Sequence, residues 1–271
     1  MVIDQALEFL FYTQTENIYL YHKMSAAPIS LRVNAALFDV DGTLIISQGA
    51  IAEFWRDFGK DKPYFDSQHV IDISHGWRTY DVIKKFAPDY ANEEYVTKLE
   101  GEIPDKFGKH AIEVPGAIKL CAALNALPKE KWAVATSGTF EMAHKWFDIL
   151  GIKRPSNFIT ANDVKNGKPH PEPYLKGRNG LGYPINEANP AASKVIVFED
   201  APAGILAGKA AGCKIVGIAT TFNKEFLIEK GCDIVIKDHT KLRVAAYHPE
   251  TDEVEFVFDE YLYAKDDLLE W

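Results

Sequence analysis

From Asn34 onward, short apolar runs alternate with stretches of helical periodicity. The runs are AALFDV, KWAVATS, NFITA, KVIVFED, KIVGIAT and CDIVIKD, rich in β-branched and aromatic residues and each leading into polar residues or glycine. Such runs, separated by helical patterns, predict a parallel sheet covered on both faces, an α/β fold. Ligands bind such sheets beyond the carboxyl ends of the strands, so the polar ends of these runs are the places to seek chemistry.

Between the first run, ending at Val40, and the second, starting at Lys131, lies far more chain than a crossover helix needs. From Ala50 to Gly108 it is helical in pattern, with amphipathic pieces such as AIAEFWRDFGK and NEEYVTKLEGEI. The expectation is a small helical domain, residues 48–111, inserted into a core made of 29–47 and 112–271. Near the end, RVAAYHPETDEVEFVFDEYLY alternates in period two around PETD. That predicts an antiparallel hairpin at a sheet edge with its acids facing solvent. Residues 1–28 stand apart as a loosely attached extension, with Met24 an alternative start. Asp4 and Glu8 interrupt the apolar run there, so it reads neither as a leader peptide nor as a membrane span.

The 271 residues are 47% apolar and 25% charged, an ordinary globular balance. A formal charge of -9 without a basic cluster argues against a nucleic-acid partner and leaves a small molecule as the expected one. Cys121, Cys213 and Cys232 are far apart and lack CxxC spacing, which predicts buried, unreactive thiols in a reducing, cytoplasmic setting. A monomer without membrane attachment is expected.

Four polar clusters carry the chemistry. In ALFDVDGTLI, Asp39 and Asp41 flank Val40, and two carboxylates forced together call for a cation, a divalent metal being the obvious candidate. VATSG places Ser137 and Gly138 where a hydroxyl and a backbone N–H converge at a helix start, an anion site. KNGKPHPEPY holds Lys168 in a loop stiffened by three prolines, and VFEDAPAGI ends a strand in Glu199 and Asp200. Singly, each has an ordinary reading as an Asx-turn, a loop, a solvated lysine or a helix cap. In this order and at strand ends, they point together to one site.

With these motifs the chain resembles the haloacid dehalogenase superfamily of phosphotransferases, whose four motifs match DVDGT, TSG, GKPHPEP and FEDAPAG. The resemblance implies a Rossmann-like parallel core and places the insertion as a helical C1 cap. More narrowly, SHGWRTYDVI, LPKEKWAVATSGT, FITANDVKNGKPHPEPYLKGRNGLGYPIN and YLYAKDDLLEW are similar to the yeast glycerol-1-phosphatases, also called glycerol-3-phosphatases, with the 2-deoxyglucose-6-phosphatases as relatives. It implies hydrolysis of glycerol phosphate in glycerol biosynthesis and osmotic stress. Asp39 is then the nucleophile that becomes an aspartyl-phosphate, and Asp41 the acid and base. Mg²⁺ would be held by Asp39, the Asp41 backbone carbonyl and Asp200. Thr43, Ser137 and the Gly138 N–H would hold phosphoryl oxygens, Lys168 would balance transition-state charge, and Glu199 would accept from Lys168 or a metal-bound water. A sugar-phosphate phosphatase or a phosphomutase is the alternative, and a non-catalytic phosphate-binding module is disfavoured because every catalytic acid is present. In the insertion, Ser74 is expected to cap a helix projecting His75 and Arg78 toward the leaving group. The plainer reading pairs Arg78 with Asp81 or Asp72 and leaves His75 on the surface.

Overall fold

The computed structural model describes residues 27–185 and 194–268, so nearly all of the amino-terminal extension lies outside the described residues. The central sheet is built from β2 (Ala35–Phe38), β5 (Trp132–Ala135), β6 (Phe158–Ile159), β7 (Val195–Glu199), β8 (Lys214–Ile218) and β9 (Ile234–Ile236), all parallel. β12 (Tyr263–Ala264) adds an antiparallel edge beside β9, giving the order β12-β9-β8-β7-β2-β5-β6. Alternate residues of β2 serve opposite faces: Ala36 and Phe38 join one core cluster, Ala35 and Leu37 the other. That is why the run is apolar throughout, and the rings of Phe38 and Phe198 stack at 4.3 Å on one of these faces. Burying each such side chain contributes about 1.5–3 kcal/mol. Helices α6 (Ala117–Asn125), α7 (Phe140–Leu150), α8 (Glu172–Gly180), α9 (Pro202–Ala210) and α10 (Lys224–Lys230) make up the rest of the α/β core.

Because β2 is flanked by β5 on one side and β7 on the other, the chain order reverses at β2, which is where an open α/β sheet offers a crevice. The segments after β2, β5 and β7 are those carrying Asp39, Ser137 and Asp200.

The hairpin β10 (Leu242–His248) and β11 (Glu253–Phe258) does form, but not at the edge of the main sheet. It pairs with β1 (Ile29–Val33) in a separate sheet of order β1-β11-β10. Phe256 and Phe258 are fully buried and Phe256 packs on Phe198, so apolar burial holds this sheet to the core. Glu253 and Glu255 are correspondingly not free in solvent: they accept from Lys194, Ser30 and His248. The turn residue Asp252 adopts φ +53° and binds Lys129, Lys131, Tyr183 and Tyr247.

Between the short antiparallel partners β3 (Ile45–Ile46) and β4 (Ile112–Glu113) stand the helices α1 (Gln48–Gly59), α2 (Ser67–Ile73), α3 (Thr79–Phe86), α4 (Glu93–Gly101) and α5 (Ile103–Phe107). Phe54, Trp55, Phe58 and Phe65 form an aromatic cluster at the centre of this insertion. One local expectation fails here: Ser74 ends α2 rather than starting a helix, and α3 is entered from Arg78. Residues 74–78 are a loop because Gly76 turns at φ +79°, a left-handed conformation that interrupts a helix, with its α-carbon facing Ala201. The three cysteines are buried and unpaired. Among the described residues, no helix is long and apolar enough to cross a membrane.

Candidate active site

β2 stops at Phe38, so Asp39 and Asp41 lie in the turn beyond it, both on the wall of a cavity of ≈ 80 Å³ between core and insertion. Gly42 shapes this turn at φ +92°, and a Cβ there would lie 2.0 Å from Asp200 Oδ2, so glycine is required for both conformation and space. Asp41 Oδ1 accepts from Ser47 Oγ at 2.6 Å, which orients the carboxylate. His239 Nε2 lies 2.8 Å from the Thr43 carbonyl and ties the same turn to the hairpin side of the core.

Behind Asp39 stands Lys168, 3% exposed, with Nζ 2.6 Å from Asp39 Oδ1 and 2.8 Å from Glu199 Oε1. Glu199 also accepts from the Tyr174 hydroxyl at 2.8 Å and from the N–H groups of Asp200 and Ala201, both at 3.0 Å. Asp200 shares the floor with Asp39. Its Oδ2 accepts from the Thr221 hydroxyl, which in turn accepts from Gln48 Nε2 at 2.6 Å.

Burial, together with Glu199 and Asp41, pushes the Asp39 carboxyl up to about 7 even against the opposing charge of Lys168. Burial likewise raises Asp41, and burial beside Glu199 and Asp39 raises Asp200 far above the usual carboxylate range. Lys168 loses hydration, but Asp39 and Glu199 outweigh that cost and hold it above the ordinary lysine value. The site thus concentrates more carboxylate than its one lysine neutralises.

Carboxylate oxygens of Asp39, Glu199 and Asp200 lie within 4.8 Å of one another, a donor set suited to a hard divalent cation. Glu199 is already engaged by four donors, so Asp39 and Asp200 are the two carboxylates with capacity left for a metal. The residues fit such a cation, because a positive charge would offset the burial that raises both carboxyls above their usual range.

Of the residues named from sequence, Asp39, Asp41, His75, Ser137, Gly138 and Asp200 line the cavity. Ser137 Oγ donates to the Gly76 carbonyl at 2.7 Å, and the Gly138 N–H donates to Thr136 Oγ1 at 3.0 Å, so both currently serve the protein. Thr43 does not reach the cavity: it is fully buried behind Asp200, with its hydroxyl 3.4 Å from Oδ1. Arg78 is also turned elsewhere. It pairs with Asp81 at 2.7 Å and donates to the carbonyls of Val164 and Lys165, both at 3.0 Å, fastening the insertion to the loop that carries Lys168. His75 packs edge-on against Phe222 at 5.5 Å, and burial lowers its pKa, so it faces the cavity as a neutral ring.

Nothing in the local sequence marks Ser47, Gln48, Tyr174 or Glu100 for this place. Thr221 carried a legible signal, since it follows the run KIVGIAT and so stands beyond the carboxyl end of β8. Glu100, on α4, is 2% exposed and reaches the cavity wall. Its Oε1 accepts from Thr79 Oγ1 at 2.6 Å, and its Oε2 from the Thr139 N–H at the start of α7 at 2.9 Å.

Residues 33–212 match the family model described as haloacid dehalogenase-like hydrolase. The chain is 77% identical over 248 residues to glycerol-1-phosphate phosphohydrolase 1 of Saccharomyces cerevisiae, covering 92% of this chain and 99% of that protein. It is 36% identical to 2-deoxyglucose-6-phosphate phosphatase 2 of the same yeast, covering 78% of this chain and 90% of the other. A crystal structure of a hydrolase from Pseudomonas syringae superposes with a TM-score of 0.62 at 24% identity, covering 75% of this chain and 93% of that one, which speaks to the fold. An acidic strand-end turn backed by a buried lysine, under a helical insertion and within a sequence this similar throughout, leads to one assignment: the chain belongs to the haloacid dehalogenase-like hydrolase family.

Proposed function

We propose that the protein is a Mg²⁺-dependent phosphomonoesterase that hydrolyses glycerol phosphate, glycerol 1-phosphate or sn-glycerol 3-phosphate, to glycerol and phosphate. The observation that carries this reading is Asp39, pinned through Oδ1 by Lys168 and lining a small cavity, in a chain 77% identical to a glycerol-1-phosphate phosphohydrolase. Asp39 attacks phosphorus and the bond to the leaving oxygen breaks, leaving an aspartyl-phosphate. Asp41, whose carboxyl burial raises above the usual range and which Ser47 orients, gives a proton to the departing alkoxide. As a carboxylate it then takes a proton from water, whose oxygen displaces Asp39 and completes phosphate release. Asp39, Asp200 and the Asp41 carbonyl would hold the metal, which would supply charge that keeps Asp39 ionised and offsets the phosphate's.

Ser137 and the Gly138 N–H serve as phosphoryl contacts once they exchange their present partners. In this reading Thr43 holds Asp200 rather than the phosphate, and Lys168 with Glu199 sets the charge of Asp39. The helical insertion acts as a cap over the leaving group. A 2-deoxyglucose-6-phosphatase type of activity is the second reading, supported by the 36% identical relative. The setting we propose is a cytoplasmic monomer serving glycerol formation in osmotic stress, and the three unpaired thiols support a reducing compartment. Phosphate release by the purified protein over glycerol phosphates, glucose 6-phosphate and 2-deoxyglucose 6-phosphate, with and without Mg²⁺, tests the reading. Release that is greatest for a hexose phosphate, or is indifferent to Mg²⁺, overturns it.

A further inference from the structure

Three features of the cavity bear on what leaves after the phosphate is cut. Its upper wall is largely apolar, with Ile51, Trp55, Ile71, Trp77 and Val82 from the insertion. Among the described residues, no lysine or arginine lines it, and its histidine is held neutral. Set into that wall is the carboxylate of Glu100.

Nothing in the fold around Glu100 calls for a charge. Its partners are one hydroxyl, from Thr79, and one backbone N–H, from Thr139, and neither is cationic. A glutamine would meet both, accepting from the N–H and donating to the hydroxyl oxygen. A buried carboxylate without a cation is a cost to stability. What it brings that an amide does not is acceptor capacity: two oxygens offer about four acceptor sites, and two of those are used. Glu100 lines the cavity from the insertion side, while Asp39 and Asp41 stand on the core side.

We propose that Glu100 is a specificity-determining residue that accepts hydrogen bonds from the hydroxyl groups of the leaving alcohol, selecting small uncharged polyol phosphates and rejecting monoesters whose leaving group carries a further negative charge. The proposal rests on the phosphomonoesterase reading above and names the chemistry of its leaving group. Rejection follows from the insertion side of the cavity: an added carboxylate there would meet Glu100 with no lysine or arginine among the described residues of the lining to offset it. Thr79 and the α7 amino terminus fix the carboxylate in place, so its reading of hydroxyl groups is preorganised rather than induced.

The test, run at pH 8 where the Glu100 carboxylate is ionised, compares wild type with Glu100→Gln on glycerol 1-phosphate, on propyl phosphate, which has the same carbon chain without its hydroxyls, and on phosphoglycolate, whose leaving group bears a carboxylate. In the wild type, kcat/KM falls in the order glycerol 1-phosphate, propyl phosphate, phosphoglycolate. In Glu100→Gln, the ratio of glycerol 1-phosphate to propyl phosphate drops about ten- to a hundredfold, mostly through KM, as expected for loss of a hydrogen bond to a charged acceptor. The ratio of phosphoglycolate to propyl phosphate rises. Glu100→Asp, which keeps the charge on a shorter arm, retains the rejection of phosphoglycolate and guards against a variant that fails to fold. Unchanged ratios in a folded Glu100→Gln overturn the assignment of Glu100 while leaving the enzyme's function standing. A wild type that turns over propyl phosphate as well as glycerol 1-phosphate overturns the polyol reading itself. Preference for ethanolamine phosphate over glycerol 1-phosphate would show that Glu100 is a counter-ion for an ammonium instead.

Discussion

Replacing Glu100 by glutamine should make the substrate-free protein more stable, and by an amount that depends on pH in a calculable way. Burial raises the carboxyl from an ordinary 4.5 to about 7, against the hydrogen bonds from Thr79 and Thr139. Between those two values the folded state holds a proton that the unfolded chain has released, so stability from this group is full below 4.5 and is lost as pH rises through 7. The shift corresponds to about 3 kcal/mol over the whole window, at ~1.4 kcal/mol per pH unit. Glutamine keeps the two protein partners and does not titrate. Thermal or urea unfolding of both proteins at pH 5 and pH 8, in EDTA and without substrate, isolates the effect, because Asp39, Asp41 and Asp200 titrate alike in the two. The expected result is a variant close to wild type at pH 5 and more stable by about 2–3 kcal/mol at pH 8, several degrees in melting temperature for a chain of this size. A stability difference that does not change with pH would refute the reasoning, since it would mean that Glu100 is already ionised at pH 5 or that solvent reaches it. The expected pH-dependent gain would mark Glu100 as a residue kept for selectivity at the expense of stability.

Other outcomes follow from the same geometry. Asp39→Asn should abolish steady-state phosphate release while melting no lower than wild type in EDTA, because it removes one of several crowded carboxylates; near-native turnover would sink its role as nucleophile. Lys168→Met should destabilise the metal-free protein by about 3–5 kcal/mol at pH 8, the cost of stripping two buried carboxylates of their cation, and by less at pH 5, where Asp39 takes up a proton. Equal losses at the two pH values would contradict this. Arg78→Ala frees the carbonyls of Val164 and Lys165 and breaks the tie between insertion and core, so kcat/KM should fall in parallel for glycerol phosphate and propyl phosphate; a loss confined to glycerol phosphate would put Arg78 back at the substrate.

The main sheet was legible in the chain because its strands are buried on both faces, which leaves runs such as AALF and VIVF without a polar position. The polar clusters stood out for the same reason: where a strand leaves the core, Asp39, Thr136 with Ser137, and Glu199 with Asp200 are the first polar positions. That Lys168 joins them across 129 positions of sequence is a property of the α8 loop packing under β2 and β7, and no local pattern states it. The hairpin was visible as alternation, but which sheet it completes depended on β1 arriving from the other end of the chain. Ser74 ends a helix instead of starting one, because a single left-handed residue, Gly76, breaks the helix that the surrounding residues would form, and Arg78 makes the Asp81 pair of its plainer reading. Glu100 is the sharpest case. In NEEYVTKLEGEI it looks like one acid of a solvated helix face, and only the approach of the α7 amino terminus, 39 residues on, buries it at the cavity. Periodicity tells which side of a helix is polar; whether that side meets water or another element is decided when the elements pack.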